Sequence, residues 1–114
     1  MTLGTTRVSV TSVTITVGGA GSIVIHVSGG SALGAGSAVY YGISETASGS
    51  PNNVEQLVSR TDAGTSTYLY AALSTSYMDT VASAGTYTYY FVVRAAVGAA
   101  FGYGKGMSAI FVPN

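Results

Sequence analysis

Charged side chains are scarce in this chain of 114 residues, and the charges that are present cancel. Four residues are lysine or arginine and four are aspartate or glutamate, which together make 7% of the sequence. An ordinary soluble domain has about a quarter of its residues charged. Four cations cannot build the basic surface that phosphate backbones require, so we expect no nucleic-acid partner. Serine, threonine, glycine and tyrosine must supply the polar surface instead.

Cysteine is absent and long apolar runs are missing. The first absence excludes a disulfide framework and a thiolate metal site. The longest apolar region, Tyr87 to Phe101, is interrupted by Thr88 and Arg94 and is shorter than the roughly 18 to 20 residues of a spanning helix. The opening residues, Met1 to Arg7, lack a basic region followed by an apolar core, which predicts no secretory signal and folding in the cytosol.

Alternating apolar and polar residues indicate seven or eight short β-strands. The clearest stretches are Ser22–Ser28, Ser37–Ser44, Thr65–Leu73, Thr86–Val97 and Met107–Val112. One domain is the default at this length. The pattern therefore predicts an all-β fold over residues 1–114, an antiparallel two-sheet β-sandwich with either jelly-roll or fibronectin/immunoglobulin-like topology.

Several details of the pattern carry separate expectations. A phase switch at Thr11–Ser12 predicts a β-bulge in the first strand, or one strand that crosses between the sheets. Val24 and His26 oppose an apolar face in their strand, which indicates cover on both sides. Tyr77–Ala84 is interpreted as a corner.

Two further stretches are assigned less regular structure. The four glycines of Gly98–Gly106 predict a turn or loop. Asn52–Ser59 is the one stretch with helical spacing, and it could equally form a strand or loop.

Residues that could carry chemistry are few and scattered. His26 is the only histidine and has no second histidine or cysteine to act with. The carboxylates are Glu45, Glu55, Asp62 and Asp79. They form no Asp-x-Asp cluster for calcium and no evident catalytic pair. The glycine stretches lack the following helix that a phosphate cradle needs. We therefore expect no catalytic residue, no cofactor and no metal site, and hence no enzyme.

Nine tyrosines are the most suggestive feature of the composition. Neighbouring residues in Tyr87–Tyr90 point to opposite faces of a strand, so one face belongs to the core and the other meets solvent or a neighbour. A subunit interface is favoured over a sugar-stacking platform, because no polar cluster suited to sugar hydroxyls accompanies the rings. The residues expected at such an interface are Tyr87, Tyr89, Phe91, Met107 and Phe111.

The segment Met78–Arg94 resembles the late strands of small jelly-roll domains in phage and viral surface proteins, which are similar to tumour-necrosis-factor and C1q heads. It has an Asp-Thr corner, an Ala-Gly-Thr turn and an aromatic strand, and Ser108–Val112 follows as a short last strand. Ile23–Gly42 looks like the middle of the same pattern. The resemblance implies a jelly roll at a virion surface, commonly as a homotrimer.

A second resemblance is to fibronectin type III domains. Tyr89–Ala95 looks like their Tyr-x-Phe-x-Val-x-Ala strand, and Ser76–Thr80 looks like the preceding corner. The early tryptophan of that family is missing, and His26 stands near its place. We therefore prefer the jelly roll.

Two functions follow as expectations. The first is a non-enzymatic structural protein of a virus particle: a capsid decoration, minor capsid or spike/fibre-head subunit. Such a protein would fold in the host cytoplasm, self-associate as a homotrimer, and contact other virion proteins and a host glycan or receptor. The alternative is an extracellular carbohydrate-binding or adhesion module. Neither requires a membrane span.

Overall fold

The computed structural model describes residues 6–34, 36–53, 55–59, 69–97 and 100–114, with the backbone alone at 69, 96–97 and 100–105. This part of the chain forms strands and contains no helix. The strands are β1 Val8–Val17, β2 Gly21–Leu33, β3 Ala38–Ser44, β4 Gln56–Ser59, β5 Leu69–Val81, β6 Gly85–Val97 and β7 Ala100–Pro113.

The strands build two antiparallel sheets, as the sequence predicts. One sheet has the order β1-β6-β3-β4, and the other has the order β5-β2-β7. Consecutive strands lie in different sheets, except for β3 and β4. At one end Val17 lies opposite Gly85 and Gly21 lies opposite Val81, so residues 18–20 carry the chain from one sheet to the other.

Side chains from both sheets meet in one hydrophobic core. The three-stranded sheet contributes Ile23, Ile25 and Val27, which have no exposed surface. The four-stranded sheet contributes Tyr89 and Phe91, each 1% exposed. Within each strand these residues are two positions apart, because successive side chains of a strand point to opposite faces. The alternate positions that are apolar in the sequence are therefore the positions whose side chains face inward.

Asn53, which lies just before β4, links the two sheets through its side-chain amide. The backbone N–H of Ile43 donates to Asn53 Oδ1 at 3.0 Å. Asn53 Nδ2 donates to Thr75 Oγ1 at 2.9 Å and to the carbonyl oxygen of Ser76 at 3.0 Å. One amide thus satisfies a backbone donor of β3 and a backbone acceptor of β5.

Some local expectations are confirmed and others are wrong. The register of β1 against β6 shifts between Ser9 and Thr11, which confirms a bulge close to the predicted Thr11–Ser12 position. Val24 and His26 are exposed, so the Ser22–Ser28 part of β2 is covered on one side only and the prediction of cover on both sides is wrong there.

Regular pairing replaces two features that were predicted to be irregular. Tyr77 to Val81 continues β5, which pairs with β2 residue by residue over its whole length, so the predicted corner is confined to residues 82–84. Gln56–Ser59 pairs with β3 as a strand, which is one of the alternatives left open for this stretch. Ala100–Gly106 belongs to β7, so the predicted loop at Gly98–Gly106 is wrong over these residues. Residues 98–99, and those of Thr65–Leu73 before Leu69, lie outside the described ranges.

Across the described ranges, no helix is long and apolar enough to cross a membrane.

Gly21 makes a close approach that predicts a specific loss of stability. A Cβ at this position would meet the backbone carbonyl oxygen of Val112 and stand 2.7 Å from the ring of Phe111. Because a backbone atom cannot swing aside, Gly21→Ala should lower the free energy of unfolding by about 1–3 kcal/mol. The matched control is Gly19→Ala, where nothing lies within 4 Å of the added Cβ. Denaturant unfolding of the two variants measures the difference, and equal stabilities would contradict the packing of β2 against β7.

Candidate interaction surface

The five residues predicted to form a subunit interface face the core. Tyr89 and Phe91 are buried, and Tyr87, Met107 and Phe111 are half-buried and packed against the core. Odd-numbered side chains point inward from Tyr87 to Phe91 in β6 and from Met107 to Phe111 in β7. The prediction of a contact does not hold for the two buried side chains. The even-numbered positions of β7 from Gly106 to Val112 are the exposed ones.

The outward positions of residues 22–28, 74–80 and 106–112 of the three-stranded sheet form a surface that we call the outer face. Its members are Ser22, Val24, His26, Ser28, Ser74, Ser76, Met78, Thr80, Gly106, Ser108, Ile110 and Val112. All are exposed except Ser22, which is half-buried. None of these twelve residues is a lysine, arginine, aspartate or glutamate. The outer face therefore offers hydroxyl groups, one imidazole and apolar side chains.

Four apolar side chains lie together on the outer face. Val24 is directly opposite Met78 on one side and Ile110 on the other, and Val112 lies two residues further along β7. Met78 and Ile110 are 63% and 65% exposed, and Val24 and Val112 are 37% and 52% exposed. Neighbouring strands are about 4.8 Å apart, so these side chains make an apolar band about 10 Å wide. Contiguous exposed apolar side chains of this kind mark contact surfaces more often than scattered ones do.

His26 lies one row along from the apolar band, between Ser76 on β5 and Ser108 on β7. Its exposed side chain has hydroxyl-bearing neighbours, but the outer face holds no carboxylate to orient an imidazole as a general base. Within the described ranges, no group of three or more histidine, cysteine, aspartate or glutamate residues could hold a metal ion.

The four-stranded sheet concentrates charge near its outer side. Glu55 accepts hydrogen bonds from Arg7 Nε at 3.3 Å and from Arg94 Nη2 at 3.1 Å. The guanidinium of Arg94 also lies 4.2 Å from the ring centroid of Tyr40. Burial raises the pKa of Glu55, but the hydrogen bonds and positive charges of the two arginines outweigh burial and hold this pKa below its ordinary value.

Threonine pairs continue the polar character of that sheet. Thr14 Oγ1 and Thr88 Oγ1 are 2.9 Å apart, and Thr16 Oγ1 and Thr86 Oγ1 are 3.0 Å apart, with all four atoms hydrogen-bonded across β1 and β6. Such cross-strand hydroxyl pairs are a favourable surface for a solvated sheet. The two sheets therefore present different outward surfaces, one polar and partly ionic, the other uncharged with an apolar band.

The remaining described carboxylates are bound by tyrosines between the sheets. Tyr89 Oη donates to Asp79 Oδ2 at 2.7 Å, and Tyr77 Oη donates to Glu45 Oε2 at 2.9 Å. Burial, followed by these hydrogen bonds and the nearby negative charges, raises the pKa of Tyr89 and raises that of Tyr77 to about 12. Glu45, Glu55 and Asp79 are thus each held by a tyrosine or arginine, and Asp62 lies outside the described residues.

The sequence did not predict the outer face, because the apolar residues of this surface fit two interpretations. Val24, Ile110 and Val112 are apolar residues at positions of polar parity, a pattern that also suits a strand covered on both sides. Comparisons with protein families, with characterised proteins and with solved structures found no match to this chain. The functional interpretation therefore depends on the surfaces described above.

The tyrosine–carboxylate pairs predict a loss of stability in alkali. The folded-state pKa of Tyr77 is about 12 against an ordinary 10.0, and that of Tyr89 is also raised. The unfolded chain therefore releases these protons first. Their contribution to stability is complete below about pH 10 and is lost as the pH rises toward about 12. Denaturant unfolding across this range should show a falling free energy, with a shallower fall for Tyr77→Phe. A flat profile in the parent protein would contradict this.

The Glu55 cluster predicts a loss of stability in acid. Because the folded-state pKa of Glu55 is depressed, its contribution is present above the unfolded pKa of about 4.3 and is lost as the pH falls through the lower folded value. At neutral pH, Glu55→Gln should cost about 1 kcal/mol, since Arg7 and Arg94 lose their shared anion. The difference between the variant and the parent protein should shrink below about pH 4. A constant difference would show that the charge of Glu55 does not stabilise the fold.

Proposed function

We propose that this domain is a non-enzymatic structural subunit of a virus particle, displayed at the virion surface as a capsid decoration, minor capsid or spike/fibre-head protein. The observation that carries the proposal is the uncharged outer face with its apolar band. The sheet on the opposite side of the domain carries the described guanidinium groups and the threonine pairs. A domain with one solvated side and one uncharged, partly apolar side suits a place in an assembly.

Physical chemistry favours coverage of the outer face by a neighbouring subunit. Exposed apolar side chains lower solubility unless charged neighbours keep molecules apart, and the outer face has no such neighbours. Covering the apolar band removes its area from water at about 25 cal/mol per Å², before the costs of association. Copies of this chain and other virion proteins are the partners that this proposal expects.

The size of the outer face favours repeated contacts over an isolated pair. Three strands and seven residues along each strand span about 14 Å by 24 Å. This area, about 340 Å², is less than half of the roughly 800 Å² that one partner contributes to a standard interface. A contact of that size is weak alone and becomes effective when many copies are held together, as in a particle.

We also propose that the sandwich is a jelly roll, and the order of pairing supports this topology. β1 pairs with β6, β2 with β5 and β3 with β4, so the pairs are nested like those of one long folded hairpin. Two sheets with nested antiparallel pairing are the basis of the jelly roll. β7 adds to the free side of β2. In immunoglobulin-type sandwiches the first strand pairs with the second, whereas β1 and β2 lie in different sheets here.

The absence of a reaction is part of the same proposal. The three described carboxylates are held by tyrosine or arginine. His26 lies on a face without a carboxylate. General acid–base chemistry needs such groups to face a substrate together, and the described residues offer no such arrangement.

Light scattering across a dilution series tests the proposal through Val24, which lies in the central strand of the outer face. The parent protein should form species heavier than the 11.4 kDa chain. Val24→Lys places a charge in the apolar band. It should raise the protein concentration at which half of the assembly dissociates at least about tenfold, which corresponds to about 1.4 kcal/mol. The matched control is Leu57→Lys, because Leu57 is 52% exposed on β4 of the other sheet. It should behave like the parent protein.

Two results would contradict the proposal. The parent protein could remain a folded monomer at all concentrations and be absent from purified particles. It could also bind defined sugars on a glycan array as a monomer, which would favour the adhesion-module alternative. The mass of the assembled species also tests the expected homotrimer.

A further inference from the structure

The sandwich has four edge strands, and three of them carry features that discourage pairing with another chain. β1 has its bulge, and β4 has only four residues. On β5 the carbonyl oxygen of Ser76 already accepts a hydrogen bond from Asn53. Bulges, short strands and covering groups are the usual ways in which proteins protect sheet edges.

β7 differs over the segment Met107–Val112, which we call the edge segment. It pairs with β2 in regular register, while the irregularity of that pairing lies further back, at Gly29/Gly30. The edge segment contains no glycine, proline or charged residue and is bounded by Gly106 and Pro113. The side of the edge segment that faces away from β2 is an edge of the three-stranded sheet. A regular, uncharged edge of this kind is a template for one more strand.

We propose that the edge segment pairs antiparallel with the edge segment of a second copy across a two-fold axis, which joins two three-stranded sheets into one of six strands. This inference rests on the proposed self-association and names its contact. Self-pairing places identical residues close to one another across the axis, so a charged edge would repel itself. The edge segment meets this requirement because it has no charge.

The alternation of side chains restricts the register of this pairing. Inward positions must lie beside inward positions, so each even-numbered residue faces an even-numbered residue of the second copy. An axis at Ile110 sets Ile110 opposite its own counterpart and Ser108 of each copy opposite Val112 of the other. Ile110 and Val112, 65% and 52% exposed in the single chain, then lie at the contact on the outer face.

The nested pairing of the strands supports the same site. Among the described strands, the nested pairs β1–β6, β2–β5 and β3–β4 leave β7 without a partner on the side away from β2. One more nested pair would place an antiparallel strand beside β7. A two-fold axis supplies such an antiparallel strand from a second copy. Pairing also joins the two apolar bands. The combined outer face approaches the roughly 800 Å² that one side of a standard interface contributes.

Cysteine cross-linking tests the contact directly, because the chain has no cysteine of its own. The variant Ile110→Cys/Val112→Cys should form a covalent dimer on mild oxidation. Its matched control is Met78→Cys/Thr80→Cys, which occupies the same two rows of the outer face on β5, on the opposite side of Val24 and Ser22. The control should cross-link at least about tenfold more slowly. Equal rates would overturn the edge pairing.

Lysine substitutions in mirrored positions separate an edge contact from a face contact. Ile110→Lys and Met78→Lys lie in one row, and Ser108→Lys and Ser76→Lys lie in the next. Edge pairing predicts that each β7 variant raises the protein concentration at which the assembly half-dissociates at least about tenfold more than its β5 counterpart in the same row does. Equal effects within each row would overturn the edge pairing but leave the proposed function standing. Circular dichroism and melting curves confirm that each variant is folded.

Three further outcomes are decisive. A dimeric parent protein supports the two-fold contact. A trimer overturns it without affecting the proposed function, whereas a monomer at every concentration contradicts both. The β7 amide hydrogens that point away from β2 should exchange freely in a monomer. Their protection in a monomer would also overturn the proposal, because another segment of the same chain would then cover the edge.

Discussion

The described charged side chains of this domain are engaged within its own fold, and the outer face defined above carries none of them. Glu55 binds Arg7 and Arg94 at the four-stranded sheet, while Glu45 and Asp79 accept hydrogen bonds from tyrosines. With so few charges in the whole chain, each internal pair removes a group that could have solvated the surface. The uncharged outer face is the consequence, and both proposed contacts depend on it.

The same polar groups connect the two sheets. Tyr89 of the four-stranded sheet reaches Asp79 of the three-stranded sheet, and Asn53 connects β3 with β5. These hydrogen bonds lie at partly buried positions, where unpaired polar groups would be costly. The described side chains include no buried nitrogen or oxygen without a hydrogen-bond partner. The described interior is therefore fully hydrogen-bonded, while the outer face is exposed in the single chain.

Local alternation in the sequence predicts which side chains of a strand share a face. This explains why the inward residues Ile23, Ile25 and Val27 and the bulge of β1 could be found without a structure. The order of strands could not be found this way, because pairing depends on residues far apart in the chain. The sequence did not reveal that β5 continues through Tyr77 without a corner, since that regularity comes from its pairing with β2.

The surface was the harder part to predict. Aromatic residues suggested Tyr89 and Phe91 as contacts, but large rings also fill cores, and these two lie inside. Val24 and Ile110 could have been covered by another layer of the fold, and only the tertiary structure shows them exposed. The salt dependence of self-association tests the central claim most directly. Association through an uncharged surface should persist or strengthen between about 0.05 M and 1 M sodium chloride. Association that weakens steeply over this range would show that charged groups form the contact and would contradict the account.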